Sequence, residues 1–175
     1  ILNKYDNKSI IFNLGGIANF TAIFRRKVVS SDIGPANCII DDLTNYFFKK
    51  KFDKNGILSA KGKINNKILN SFKNDNFFKQ NIPKSLDRNY FDKYKNRLTK
   101  INKYDALCTA TYMTLIGFQK FLNNNKIQFN NIILTGGGRK NNYLLKILKK
   151  NIKKKIILID SLKINGDLVE AQMFA

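Results

Sequence analysis

Histidine is missing altogether, and cysteine occurs only twice, at Cys38 and Cys108. The first absence excludes zinc binding through imidazole and any Ser-His or Cys-His catalytic pair. The second excludes a disulfide framework or a cysteine metal site. Each cysteine falls inside a helical pattern and reads as a buried thiol in a reducing cytoplasm. No run approaches eighteen consecutive apolar residues, so no transmembrane helix is expected. The first residues, ILNKYDNKS, lack the basic-then-apolar layout of a signal peptide. Acidic side chains are scarce: 12 stand against 32 basic ones, for a net charge of +20. Such a balance invites a nucleic-acid reading. The lysines are scattered among abundant Asn and Ile, however, the trio that an A- and T-rich genome encodes. Compositional drift is therefore preferred to a dedicated basic groove, and no specific nucleic-acid or membrane partner is expected. The densest run, Lys146 to Lys155, fits the solvated face and end of a helix.

What remains is enough for one domain. The 175 residues are 43% hydrophobic and 12% aromatic, which supports a packed core. Ser9 to Leu14, Ala18 to Phe24 and Val28 to Ile33 read as three short strands in an antiparallel meander, with Arg25-Arg26-Lys27 as a hairpin tip. Pro35 is expected as an early helix residue, followed by Ile39, Ile40, Leu43 and Phe47 at helical spacing. Asp41 and Asp42 read as solvated first-turn charges. Residues 52–100 lose clear periodicity and are expected to be an insertion, with a loop around Pro83. A long helix capped by Asp105 follows, with Leu107, Thr111, Leu115, Phe118 and Leu122 on one face. Ile132 to Thr135 is a buried strand, Tyr143 to Ile152 a helix, Lys155 to Ile159 a fifth strand, and Gly166 onward a last helix. The fold class is thus α/β, a ribonuclease-H-like (actin-like ATPase) lobe. Its five-stranded mixed sheet follows a β-β-β-α-β-α-β-α order with helices on both faces.

Three glycine-marked stretches carry the chemistry. In TGGGRKNN a strand delivers Gly136, Gly137 and Gly138 into a turn before a helix, so backbone amides can approach an anion. The stretch is neither a Walker loop nor a dinucleotide fingerprint. NLGGIANFT sets Gly15-Gly16 between two strands, where amides and the Thr21 hydroxyl could face a phosphate. DIGPAN ends a strand with Asp32 just before Gly34-Pro35. A fixed carboxylate there serves equally as a general base or as a helix cap. The three stretches are expected to share one wall of one cavity.

Taken in order, NLGGIANFT, DIGPAN, PKSLDRNYF, DALCTAT, TGGGRKN and GDLVEA resemble the anhydro-N-acetylmuramic acid kinase family, bacterial cell-wall recycling enzymes of the actin and sugar-kinase superfamily. The resemblance implies hydrolytic opening of a 1,6-anhydro sugar with phosphorylation of O6, using ATP and Mg2+. It implies Asp32 as catalytic base and Asn13, Gly15 and Gly16 as a phosphate segment. Gly136, Gly137, Gly138 and Asn141 become the nucleotide-side loop, and Asp32, Asn37 and Glu170 the sugar side. Ser85 to Tyr90 departs from the family's usual pattern by lacking its Thr-Gly pair. The family's first phosphate loop is not found in this sequence. The chain therefore reads as a C-terminal lobe cut at both ends, dependent on an N-terminal lobe and inactive alone; a homodimer is left open. Two rivals stand beside it. One is a basic nucleic-acid-binding domain or nuclease of the same ribonuclease-H-like fold; a nuclease would need several carboxylates around two metals, and the first strand has none, while simple basic binding stays open. A non-catalytic actin-like lobe would bind nucleotide without using Asp32.

Overall fold

The computed structural model describes residues 9–24, 27–124 and 127–166. Three strands open it: β1 (Ser9–Leu14), β2 (Ile17–Phe24) and β3 (Lys27–Pro35). Helix α1 (Asn37–Phe48) follows, then α2 (Asn66–Lys73), α3 (Asp92–Leu98) and the long α4 (Lys103–Asn124). The rest is β4 (Asn131–Thr135), α5 (Asn142–Asn151) and β5 (Lys155–Leu158). Five strands form one mixed sheet in the order β3-β2-β1-β4-β5. β1 pairs antiparallel with β2, and β2 with β3, while β4 runs parallel to both β1 and β5. The expected meander and the helix-separated parallel strands are both present. The expected hairpin tip at Arg25-Arg26 and the last helix after Gly166 fall outside the described residues.

Alternation along the strands decides which face is buried. Ile10, Phe12 and Leu14 of β1, Phe20 of β2 and Leu134 of β4 are fully buried against α4 and α5. At the centre, Phe12 stacks on Phe118 with ring centroids 4.4 Å apart, and Phe20 lies 4.2 Å from Phe121. The opposite face carries Ile11 and Ile133 under the 3-10 turn Ile159–Leu162. Among the described residues this turn is what covers that second face. A second core lies outside the sheet, where Phe72, Phe77, Phe78, Phe91 and Tyr94 from residues 52–100 pack with α1 and α4. Helix α4 is therefore buried on two sides, which explains why its apolar residues do not keep to one stripe.

Three local expectations are corrected. Pro35 does not start a helix: it is the last residue of β3, opposite Ile17, and Ala36 is the N-cap of α1. At Gly34, one residue earlier, α4 crosses close by, with the Gly117 Cα 3.4 Å from where a Gly34 Cβ would stand. Asp105 does not cap α4, since the Asn102 side chain accepts from the backbone N–H of Tyr104 and Asp105. Asp105 instead accepts from the Lys63 N–H across 42 residues. Asp41 and Asp42 lie beyond the first turn of α1, and neither is a simple solvated charge. Asp42 pairs with Arg88 and Lys95; Asp41 belongs to the site. The two cysteines are free and buried, as expected.

Candidate functional site

All three glycine-marked stretches emerge at the same end of the sheet. β1 and β4 are parallel, so Gly15-Gly16 and Gly136–Gly138 follow strands that finish side by side, and β3 ends opposite the start of β2. One polar row crosses the sheet just inside this end. Thr135 is opposite Asn13, Asn13 opposite Asn19, and Asn19 opposite Asp32. Residues paired across strands point to one face, so Asp32 shares a face with Asn13 and Thr135. At about 4.8 Å per strand, Asp32 lies roughly 14 Å along the sheet from Thr135. The Thr135 hydroxyl donates to Asn13 Oδ1 across 3.4 Å, which anchors the row at its β4 end.

The two glycine turns do different work. The Gly15 and Gly16 carbonyls accept from the N–H groups of Ala36, Asn37 and Cys38, each at 3.0 Å. The first turn thus satisfies the orphan amides at the start of α1, and those amides are not free for an anion. Thr21 pairs its hydroxyl with that of Ser30 at 2.8 Å. In the second turn, Gly136 has φ 75 and ψ 171, a conformation open to glycine. Asn37 donates its side-chain N–H to the Leu14 carbonyl at 2.9 Å and abuts Gly138. Asn141 caps α5 by accepting from the Leu144 N–H at 3.0 Å.

Gly137, Gly138 and Asn141 line a cavity of about 450 Å³ with Asn37, Ile40 and Asp41 of α1 and with Phe52 to Asn55. Its walls combine apolar surface with a few convergent polar groups, the usual make-up of a small-molecule site. The 52–56 wall is a tight turn in which Gly56, at φ +72, packs against Asn141. Asp53 is buried and ties the following turn by accepting from the Leu58 and Ser59 backbone N–H groups and the Ser59 hydroxyl. Asp41 has no hydrogen-bond partner among the described residues. Burial, aided by the charges of Asp42 and Asp53 and opposed by Arg88, pushes its carboxyl up to about 6. The glycine loop itself is held by Arg139, whose guanidinium is buried. It donates to the Gly136 carbonyl at 3.0 Å and grips Asp160 through two bonds of 2.6 and 3.0 Å.

Asp32 does not line this cavity, so the expectation of a single shared cavity is corrected: what the carboxylate and the loop share is a sheet face. Asp32 lies between two other hollows. One, of about 510 Å³, is lined by Asn19, Thr21, Ser30, Pro83, Lys84 and Ser85. The other, of about 260 Å³, is lined by Lys73, Asp75, Lys84, Lys120 and Asn124 among others. Nor is Asp32 a cap for α1. Its Oδ2 accepts from the Leu86 N–H at 2.7 Å. Burial raises its pKa above the ordinary carboxylate value, and the Leu86 N–H partly opposes this. Asn37 sits with the glycine loop, not beside Asp32. Glu170 lies outside the described residues. Sequence reading missed Asp41, Arg139, Asp160 and the 52–56 wall; the Asn55-Gly56 dipeptide, a tight-turn signature, was the available signal for the last.

The glycine loop thus borders a cavity, and the Asp32 carboxylate stands farther along the same sheet face. Among solved structures, the activator of the 2-hydroxyisocaproyl-CoA dehydratase from Clostridium difficile, with bound ADPNP, superposes with a TM-score of 0.51 at 13% identity, over 86% of this chain and 53% of that one. The likeness shows a shared α/β fold. The family model for anhydro-N-acetylmuramic acid kinase matches residues 1–175. The curated kinase of that name from Pelagibacter ubique is 34% identical over 99% of this chain and 48% of its own length. Those from Gamma-proteobacterium EBAC31A08 and Caldanaerobacter subterraneus are 31% and 32% identical, over 98% and 100% of this chain and 48% and 49% of their own. The chain belongs to the anhydro-N-acetylmuramic acid kinase family, and it spans about half the length of the curated relatives it matches.

Proposed function

We propose that this chain is one lobe of a cytoplasmic kinase that opens the 1,6-anhydro ring of anhydro-N-acetylmuramic acid and phosphorylates O6 with ATP and Mg2+. The other lobe, expected N-terminal to it, supplies the rest of the nucleotide site. The observation that carries the reading is the polar row, which sets Asp32 on the face shared by Asn13, itself in contact with Gly136. The 450 Å³ cavity suits a nucleoside, with Phe52 and Ile40 as apolar surface and the glycine loop leading toward the phosphates. Among the described residues no three carboxylates gather to hold a metal. Mg2+ would therefore be held mainly by the nucleotide phosphates and its own water. When bound it would neutralise charge developing on the transferred group.

Asp32 would take a proton from the water that attacks the anomeric carbon. The C1–O6 bond breaks, its electron pair stays on O6, and O6 takes the γ-phosphoryl group as ADP leaves. A positioned general base of this kind contributes roughly a hundred- to ten-thousandfold. Its pKa, raised by burial, makes it a stronger base than an ordinary carboxylate. In a coupled ADP-release assay with ATP and the anhydro sugar, the 175-residue chain alone should stay at background. The complete protein should turn over, and Asp32→Asn should abolish turnover while ATP binding persists. Unchanged turnover in Asp32→Asn would refute the base assignment.

A further inference from the structure

We propose that Ser31 is a positioning residue for the Asp32 carboxylate, acting through the backbone of residues 84–86. This rests on the reading of Asp32 as the base. Among the described residues β3 is an edge strand, with no neighbouring strand to pair with its outer backbone groups. Residues 84–86 take that place. The Asp32 N–H donates to the Lys84 carbonyl at 3.0 Å. The Ser31 hydroxyl accepts from the Lys84 N–H at 2.9 Å, and its single proton is offered to the Lys84 carbonyl at 3.1 Å or that of Asp32 at 3.2 Å. Two residues on, the Leu86 N–H reaches back to Asp32 Oδ2. Ser31 and Leu86 are both buried, so water competes poorly for these bonds.

The far side of the segment is anchored as well. The Lys84 ammonium donates to the carbonyls of Phe77 at 2.7 Å and Gln80 at 3.3 Å and stands 4.1 Å from the centre of the Phe77 ring. Lys84 is thus fixed at both its ends, and Ser31 is the side chain that fastens its backbone to β3. The result is an asymmetric carboxylate. Oδ2 is held by a backbone donor, and Oδ1 has no partner among the described residues. That is the arrangement a general base needs: one oxygen sets the orientation and the other receives the proton. The charged groups facing Asp32 are Lys84 from the segment, Lys73 from α2, Asp75 and Lys79 beyond it, and Lys120 from α4.

The test has two arms. In the 175-residue chain, amide exchange followed by NMR should show Leu86 and Asp32 losing roughly tenfold of their protection in Ser31→Ala, about what one such hydrogen bond is worth. Phe12 and Leu134 should keep theirs, and Ser31→Thr should restore the pattern. In the complete protein, Ser31→Ala should lower kcat by a similar factor with KM within twofold, and Ser31→Thr should recover it. Unchanged protection at Leu86, or equal loss at Phe12 and Leu134, overturns the proposal. So does loosened protection with full turnover while Asp32→Asn is dead. If Asp32→Asn also turns over normally, the base reading has failed instead.

Discussion

Replacing Gly136 by alanine tests whether the triple glycine is built for the backbone or for a ligand. Gly136 has φ 75 and ψ 171, a region that costs a residue with a Cβ about 1–3 kcal/mol. The new Cβ would also clash with Asn13 Oδ1 and stand 2.7 and 2.8 Å from the Leu14 carbonyl carbon and oxygen. The Asn13 amide can swing away, but Leu14 is fixed at the end of the central strand, so the backbone must move. Overpacking of this kind costs about 1–3 kcal/mol. Together the two effects predict a loss of about 4 kcal/mol, a large share of the stability of a typical domain. Gly137 is the control. Its φ is not in the left-handed range, and an added Cβ would meet nothing closer than Asn37 Nδ2 at 3.9 Å. Gly137→Ala should change stability by less than about 0.5 kcal/mol. Urea unfolding of the chain, followed by circular dichroism, reads both. With a slope of about 2 kcal/mol per molar, Gly136→Ala should lower the midpoint by about 2 M and Gly137→Ala by almost nothing. Equal midpoints in the two variants would refute the argument. On the proposed nucleotide-binding reading, Gly137→Ala in the complete protein should instead weaken nucleotide binding, because Gly137 lines the cavity.

Two further outcomes follow from polar groups in the fold. Thr114 on α4 is buried with its hydroxyl unpartnered among the described residues; Thr114→Val should stabilise the chain by about 1 kcal/mol and raise Tm by roughly 3 °C in a calorimetric scan. Asp160 is held at about 2, chiefly by its hydrogen bonds from Arg139. A lowered folded pKa means that its contribution is full above the unfolded value of about 4 and is lost as pH falls toward 2. The stability difference between the wild type and Asp160→Asn should therefore be constant from neutral pH to about 5 and vanish near 2. A difference that persists at pH 2 would show that the Arg139 pair is not its source. Asp160 is half exposed, so the effect should be modest.

The parts of the molecule legible in the sequence are those in which neighbours along the chain are also neighbours in space. Ser9–Leu14 and Asn131–Thr135 announce themselves as short apolar runs ending in glycine, and Ile39, Ile40 and Leu43 as a helical stripe. The misreadings share one physical cause. Pro35, Asp105 and Asp41 each carry a strong local preference that a distant contact overrides. Ile17 draws Pro35 into the ladder, the Lys63 N–H claims Asp105, and the 52–56 turn closes over Asp41. Nothing in the spacing around Arg139 points to Asp160, 21 residues away.

The same reasoning separates two glycine stretches that look alike on paper. Gly15-Gly16 lies between paired strands and spends its carbonyls on the start of α1, so its constraint is met within the fold. Gly136–Gly138 leaves β4 where no further strand receives it, and Arg139 must reach back to hold Gly136 in place. A loop that needs a buried guanidinium to fix its backbone, and that still faces an open cavity, has a conformation its local contacts do not fully explain. Gly137 sharpens the point, because neither its dihedral angles nor its surroundings demand glycine for folding. If Gly137→Ala proves neutral for stability and harmful for nucleotide binding, the missing side chain there serves the approach of a ligand, and the anion-facing role rests on that residue.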